Sequence, residues 1–355
     1  MRRTRSLLAG FLVAALGIAP LAPVLASGAQ DDAAPDRSPA RLAYAFMDGS
    51  NSVAVIDLAA KKVVDRIAVA GNPHGGAITP DGRTIFTASM GGETVRVIDT
   101  ATRKVVGSIE IGAITHHSVA SPDGRYIYVA GDDVVVIDSA ARRIVKRIAT
   151  EDTPFYLVFA PDGKRLYALG MGSTVAVIDP ATNSLLETIE MDATSNMGHM
   201  AFRPDGKELY VTNDADNTVS VIDVASDKVI ARIPVGKMPH GVAATADGRR
   251  VIVGNRGATT LSVIDTASDK VVTTRDIGLR PQHLTMSRDG VLLLSTAGGS
   301  NKLMMVDPQT LATVATIDLW KAPHTIVMAD PSVAKAEAPS TPTAGVLATA
   351  TPASE

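Results

Sequence analysis

The chain has no cysteine among its 355 residues. That absence excludes disulfides, thiolate metal sites, iron–sulfur clusters and thiol nucleophiles. Aromatic side chains are only 4% of the total, with a single tryptophan. This is too few for the stacking platforms that hold sugars or single-stranded nucleic acid. The sequence carries no G-x-S-x-G elbow, no H-E-x-x-H pair and no G-x-x-x-x-G-K loop, which removes the common serine hydrolase, zinc protease and phosphate-cradling engines. A basic surplus is missing too. The formal net charge is -3, so nothing draws the chain to nucleic acid or anionic lipid.

One long apolar run is present, at the start. Arg2, Arg3 and Arg5 precede an uncharged stretch from Leu7 to Ile18, and Val24-Leu25-Ala26 is followed by polar Ser27. This pattern predicts a signal peptide over 1–26 and a periplasmic or secreted mature protein. Gly17, Pro20 and Pro23 argue against an uncleaved spanning helix, so no membrane span is expected after cleavage. The Arg2-Arg3 pair is a weak pointer to a twin-arginine route. Cleavage removes three arginines and no acid, moving the charge from -3 to -6. Residues 27–40 read as a flexible leader. Residues 331–355 read as a disordered Ala/Pro/Ser/Thr-rich tail, with too little apolar surface to offset ordering entropy.

Between these lies a repeat. A Val-x-Val-Ile-Asp phrase or a variant ends at Asp57, Asp99, Asp138, Asp179, Asp223, Asp265 and Asp307, with spacings of 42, 39, 41, 44, 42 and 42 residues. A period near forty with several short apolar runs per copy marks a β-propeller. Residues 240–277 spell one unit: four strands, with an Asp247-Gly248 turn after the first. Equivalent turns start at Asp81, Asp123, Asp162, Asp205 and Asp289. The sequence therefore predicts an all-β, seven-bladed propeller of four-stranded antiparallel blades over 41–330. The entry segment Arg41–Phe46 aligns with a second strand and the exit segment His324–Ala329 with a first. One blade is thus built from both ends, which removes the free sheet edge.

Tyr210-Val211-Thr212-Asn213, followed by Asn217-Thr218-Val219-Ser220-Val221-Ile222-Asp223, resembles the YVTN-type (YncE-like) propeller repeat. Val235-Gly236-x-x-Pro239 fits as well. The resemblance covers about 41–330 and implies the fold strongly and the function weakly. Relatives of this kind include periplasmic and surface-layer proteins and propellers encoded near quinoprotein systems. The related d-type haem nitrite reductase propeller has eight blades, from which this chain departs.

The chain has seven histidines, and none is scattered. His74, His116 and His240 lie seven residues before the Asp of an Asp-Gly turn, and His117, His199 and His283 lie six before. His324 sits six before Asp330. Six of seven blades thus place a histidine at the start of the innermost strand. The exception carries Phe155-Tyr156. Innermost strands surround the central channel, so all seven histidines are expected to crowd one channel mouth. Adjacent strand residues point to opposite faces, so the two sets need not all face inward.

Converging imidazoles without thiolate suit copper or zinc, and also iron, haem included. Methionines and acids of the neighbouring loops (Met47, Asp48, Met90, Asp132, Asp133, Met171, Asp214, Asp216, with Arg256) open on the same face. Thioether would favour copper. Met197, Met200 and Met238, which flank His199 and His240, read as packing residues. Asn213 and Asn217 read as loop-shaping, Trp320 as lining the same face or packing, and the seven phrase-ending Asp residues as turn caps.

The leading expectation is an exported propeller binding a transition metal, copper favoured, or a metallocofactor or small molecule at the channel mouth. The first alternative is a metal-dependent oxidoreductase, lyase or lactonase-like enzyme. The second is an envelope scaffold for a protein partner, with structural histidines.

Overall fold

The computed structural model describes residues 42–287 and 289–328. The expected signal peptide, leader and tail lie outside the described residues. Among the described residues, no helix is long and apolar enough to cross a membrane.

Seven four-stranded antiparallel sheets stand around a central axis. The second blade, from Pro73 to Glu110, shows the pattern. Its strands are Pro73–Ile78, Thr84–Ser89, Thr94–Asp99 and Lys104–Glu110, in that order from the axis outward. Innermost strands of successive blades touch one another around the ring. The third to seventh blades begin their innermost strands at Ser118, Pro154, Met200, Pro239 and Leu284. The turn after six of the innermost strands rests on glycine. Gly82, Gly124, Gly163, Gly206, Gly248 and Gly290 all have φ between 67° and 73°, which a side-chain-bearing residue rarely adopts.

The closing blade is composite, as its two ends imply. Pro323–Met328 is its innermost strand and pairs antiparallel with Leu42–Met47, with Ala45 opposite Ile326. Ser52–Asp57 and Lys62–Ala68 complete it.

The core follows from the burial of whole middle strands. Strands such as Ser52–Asp57 and Val134–Asp138 are covered on both faces by neighbouring blades, so they read as continuous apolar runs. Outermost strands are mostly exposed, most with a single buried residue near the end, such as Ile67, Ile109 and Ile233. Seven separate hydrophobic clusters result, each between two adjacent blades. The phrase-ending aspartates are turn caps: each accepts a backbone N–H two or three residues on, for example Ala60 to Asp57 at 2.8 Å and Ser226 to Asp223 at 2.8 Å.

Candidate functional site: a layer of imidazoles

Three crossings between blades are set by asparagine. Asn51, Asn217 and Asn301 sit at φ 47°, 57° and 55°, a left-handed conformation that Asn tolerates. Their Oδ1 atoms accept the N–H of Asn72, Met238 and Ala322 at 2.9, 2.8 and 3.0 Å. Each of those lies two residues before a histidine: His74, His240 and His324. Thr212 and Thr296 hold others. Thr212 Oγ1 accepts the N–H of His199 at 2.8 Å and donates to the carbonyl of His240 at 2.8 Å. Thr296 does the same for His283 and His324, at 3.1 and 2.6 Å.

The two histidine sets do not face opposite ways. Pairing slips between Pro73 and Gly75, between Pro154 and Tyr156, and between Pro239 and Val242. Such bulges break the two-residue alternation and re-aim a side chain. Gly241 makes the slip after His240 feasible: a Cβ there would stand 2.5 Å from both the Gln282 oxygen and the Leu284 nitrogen.

All seven histidines meet in one layer across the axis. His74 lies 3.6 Å from His324 and 6.4 Å from His116, centroid to centroid. His199 lies 4.2 Å from His240, 4.8 Å from His283 and 6.5 Å from His324. The fourth blade completes the layer with its aromatic pair. Tyr156 is stacked between His117 and His199 at 4.1 and 4.3 Å, and Phe155 packs 5.0 Å from His116. Phe155 and Tyr156 were legible as site residues, since they stand seven and six before Asp162 and so occupy the histidine registers.

The layer plugs the channel rather than rimming an open mouth. His199 and His240 are 2% and 1% exposed, and His74, His283 and His324 are buried. His116 and His117 are half-buried. The space left among the rings is too narrow for a water molecule. On its far side a cavity of about 720 Å³ runs along the innermost strands, from His117, Tyr156 and His283 to Pro80, Pro122 and Pro161 beside the Asp-Gly turns.

Burial holds the imidazoles neutral. It lowers His74 to about 4, opposed by the bond from Nδ1 to the His116 carbonyl. It lowers His117 and His283 to about 3, and neighbouring histidines add to the effect. His199, His240 and His324 fall well below the usual range for the same first reason, and His116 falls too. Among the described residues, four buried ring nitrogens have no hydrogen-bond partner: His116 Nδ1, both of His240, and His283 Nε2.

The loop residues contribute less than their position implies. Met47 and Met200 are core. Met90, Met171, Met197 and Met238 are exposed. Asp214 accepts the N–H groups of Asn196 and Met197 and faces Arg256 at 3.7 Å. Asp216 pairs with Arg232 at 3.0 Å. Asn213 bonds Thr218 and Ser220 within its own blade. Trp320 packs beneath the Arg66 guanidinium, against the core between the seventh and closing blades. Among the described residues, no three His, Asp or Glu side chains stand arranged around a common metal position.

A family model described as lactonase, 7-bladed beta-propeller, matches residues 116–312, more than half of the chain. The chain belongs to this family. No curated protein matches it. Among solved structures, this lactonase-family propeller is similar to hydrazine synthase of Kuenenia stuttgartiensis, with 24% identity over 74% of this chain and 94% of that one and a TM-score of 0.64. The periplasmic gluconolactonase of Pseudomonas aeruginosa gives 21% identity over 81% and 98%, with a TM-score of 0.67. A dihydro-heme d1 dehydrogenase gives 18% identity over 83% and 76%, with a TM-score of 0.65. At these identities the likeness is one of fold.

Proposed function

We propose that this propeller is exported and binds a transition metal ion in its imidazole layer, with copper favoured over zinc. The supporting observation is the set of buried ring nitrogens without partners on His240 and His283. An unpaired buried polar atom costs about 1–3 kcal/mol, and an ion would satisfy several at once. His199, His240, His283 and His324 form the central group, with ring separations from 4.2 to 6.5 Å. Two imidazoles on one tetrahedral ion stand roughly 5 Å apart between centroids, given metal–nitrogen distances near 2 Å. Burial keeps the rings in the neutral form that ligates. The absence of cysteine, with Met197 and Met238 on the adjoining surface, favours copper.

The test is retention of metal after loading the untagged protein with copper or zinc and dialysing it. About one equivalent should remain in the wild type and little in the His199→Ala/His240→Ala double variant, with circular dichroism showing the fold intact. Equal metal in both proteins, or none in the wild type, overturns the reading.

The family match supports a second reading, hydrolysis of a lactone. The cavity places His117, His283 and Tyr156 at its closed end. A general base works best with a pKa near the working pH, and the two histidines are held near 3. They are therefore weak bases at neutral pH, and among the described residues no carboxylate lines the cavity to replace them. Proton release from gluconolactone, followed with an indicator dye, decides it. Turnover above the spontaneous rate that is lost in His283→Ala would favour hydrolysis.

A further inference from the structure

His117 differs from His74 and His283 in which nitrogen carries its proton. The backbone N–H of Leu157 lies 3.3 Å from His117 Nδ1 and can only donate. The neutral ring therefore carries its hydrogen on Nε2. No acceptor is in range of that N–H among the described residues, and the ring lines the 720 Å³ cavity. The Tyr156 hydroxyl, stacked alongside, also has no partner among the described residues and lines the same cavity. His283 is the reverse case. With the Thr285 hydroxyl directed at the Ile326 carbonyl, 3.4 Å away, His283 Nδ1 donates to Thr285 and Nε2 is a bare lone pair. His74 is bare at Nε2 as well, because its Nδ1 must donate to the His116 carbonyl. The layer thus presents lone pairs from His74 and His283, but a donor from His117.

The cavity has a second property. Among the described residues, its lining includes no Asp, Glu, Lys or Arg. It is built mainly of apolar and small hydroxyl side chains, such as Val119, Leu157, Ile326 and Thr325. Its volume lies within the range of small-molecule sites, roughly 300–1,000 Å³. A charged ligand entering it would lose hydration without gaining a partner.

We infer that the channel is a binding site for an uncharged, largely apolar small molecule with a carbonyl-type acceptor oxygen, which His117 Nε2–H and the Tyr156 hydroxyl recognise. His117 is then a ligand-recognising donor and not a metal ligand. This site stands beside the metal reading and does not depend on it.

Prodan, an uncharged naphthyl ketone, is a suitable probe, because its emission reports both an apolar surrounding and a hydrogen bond to its carbonyl. The wild-type protein should bind it saturably, with blue-shifted emission. The same naphthylamine without the ketone should bind at least tenfold more weakly, since it leaves the donors unpaired. His117→Phe keeps the stacked shape and removes the donor, and should weaken prodan about tenfold or more while leaving the ketone-free analogue unchanged. Ala120→Phe, which fills the channel without touching the imidazoles, should weaken both. Metal content measured on the same samples should be unchanged in His117→Phe, so the outcome is separable from that of the metal test. No saturable binding by the wild type, or equal binding of prodan by wild type and His117→Phe, overturns the inference.

Discussion

The rings of His74 and His324 lie 3.6 Å apart with a 30° tilt. One belongs to the first complete blade and the other to the last strand of the ring, so the contact forms only when the propeller has closed. Both rings must be neutral at that distance, because two imidazolium ions in a buried layer would repel with little screening.

Acid should therefore loosen the fold well above the range in which carboxylates titrate. The folded His74 titrates at about 4, against about 6.5 when unfolded. Below pH 6.5 the unfolded chain takes up a proton that the folded one refuses. Stability is thus present in full above about 6.5 and is lost progressively down to about 4. His74 alone accounts for about 3 kcal/mol of that loss. Thermal unfolding followed between pH 8 and pH 4 checks this. A flat Tm across that window would show that the histidines are not held neutral.

The closing strand should behave as a latch. Ile326 is 2% exposed, pairs with Ala45 and belongs to the core between the closing and seventh blades. Ile326→Ala should destabilise the protein by about 2–4 kcal/mol. Hydrogen exchange should rise first in Leu42–Met47, the strand it holds. Uniform exchange across all blades would argue against a latch.

Gly241 should tolerate no side chain. The Cβ of Gly241→Ala would meet the backbone of Gln282 and Leu284 at 2.5 Å, and backbone cannot swing aside. The variant should lose about 1–3 kcal/mol, as overpacked sites do. Gly92→Ala, whose Cβ meets nothing within 4 Å, is the matched control and should be nearly neutral. Chemical denaturation of the pair tests the difference.

Thr212 should be worth more than its size implies. Thr212→Val keeps the shape but leaves the buried His199 N–H without an acceptor and the His240 carbonyl without a donor. The expected loss is about 1–3 kcal/mol. Thr212→Ser, which keeps the hydroxyl, should recover most of it. Equal denaturation midpoints for Val and Ser would show that the hydroxyl contributes nothing.

Repetition made the architecture legible. Seven Val-Ile-Asp phrases and six Asp-Gly turns determine seven blades, because no blade can bury its faces alone. The mismatched ends determine closure by Leu42–Met47 against Pro323–Met328, and register counting brought every histidine, with Phe155 and Tyr156, to the axial end of an innermost strand. What only the tertiary structure decided was direction and proton placement. Strict alternation would have sent His74 and His117 to different faces; a bulge beside His74 breaks that alternation, and His117 stands just before the strand Ser118–Ala120 begins. The tautomer of His117 depends on an N–H from Leu157, forty residues away in another blade. Such a contact has no sequence signature, because hydrogen bonds across blades are set by the packing of sheets and not by local propensity.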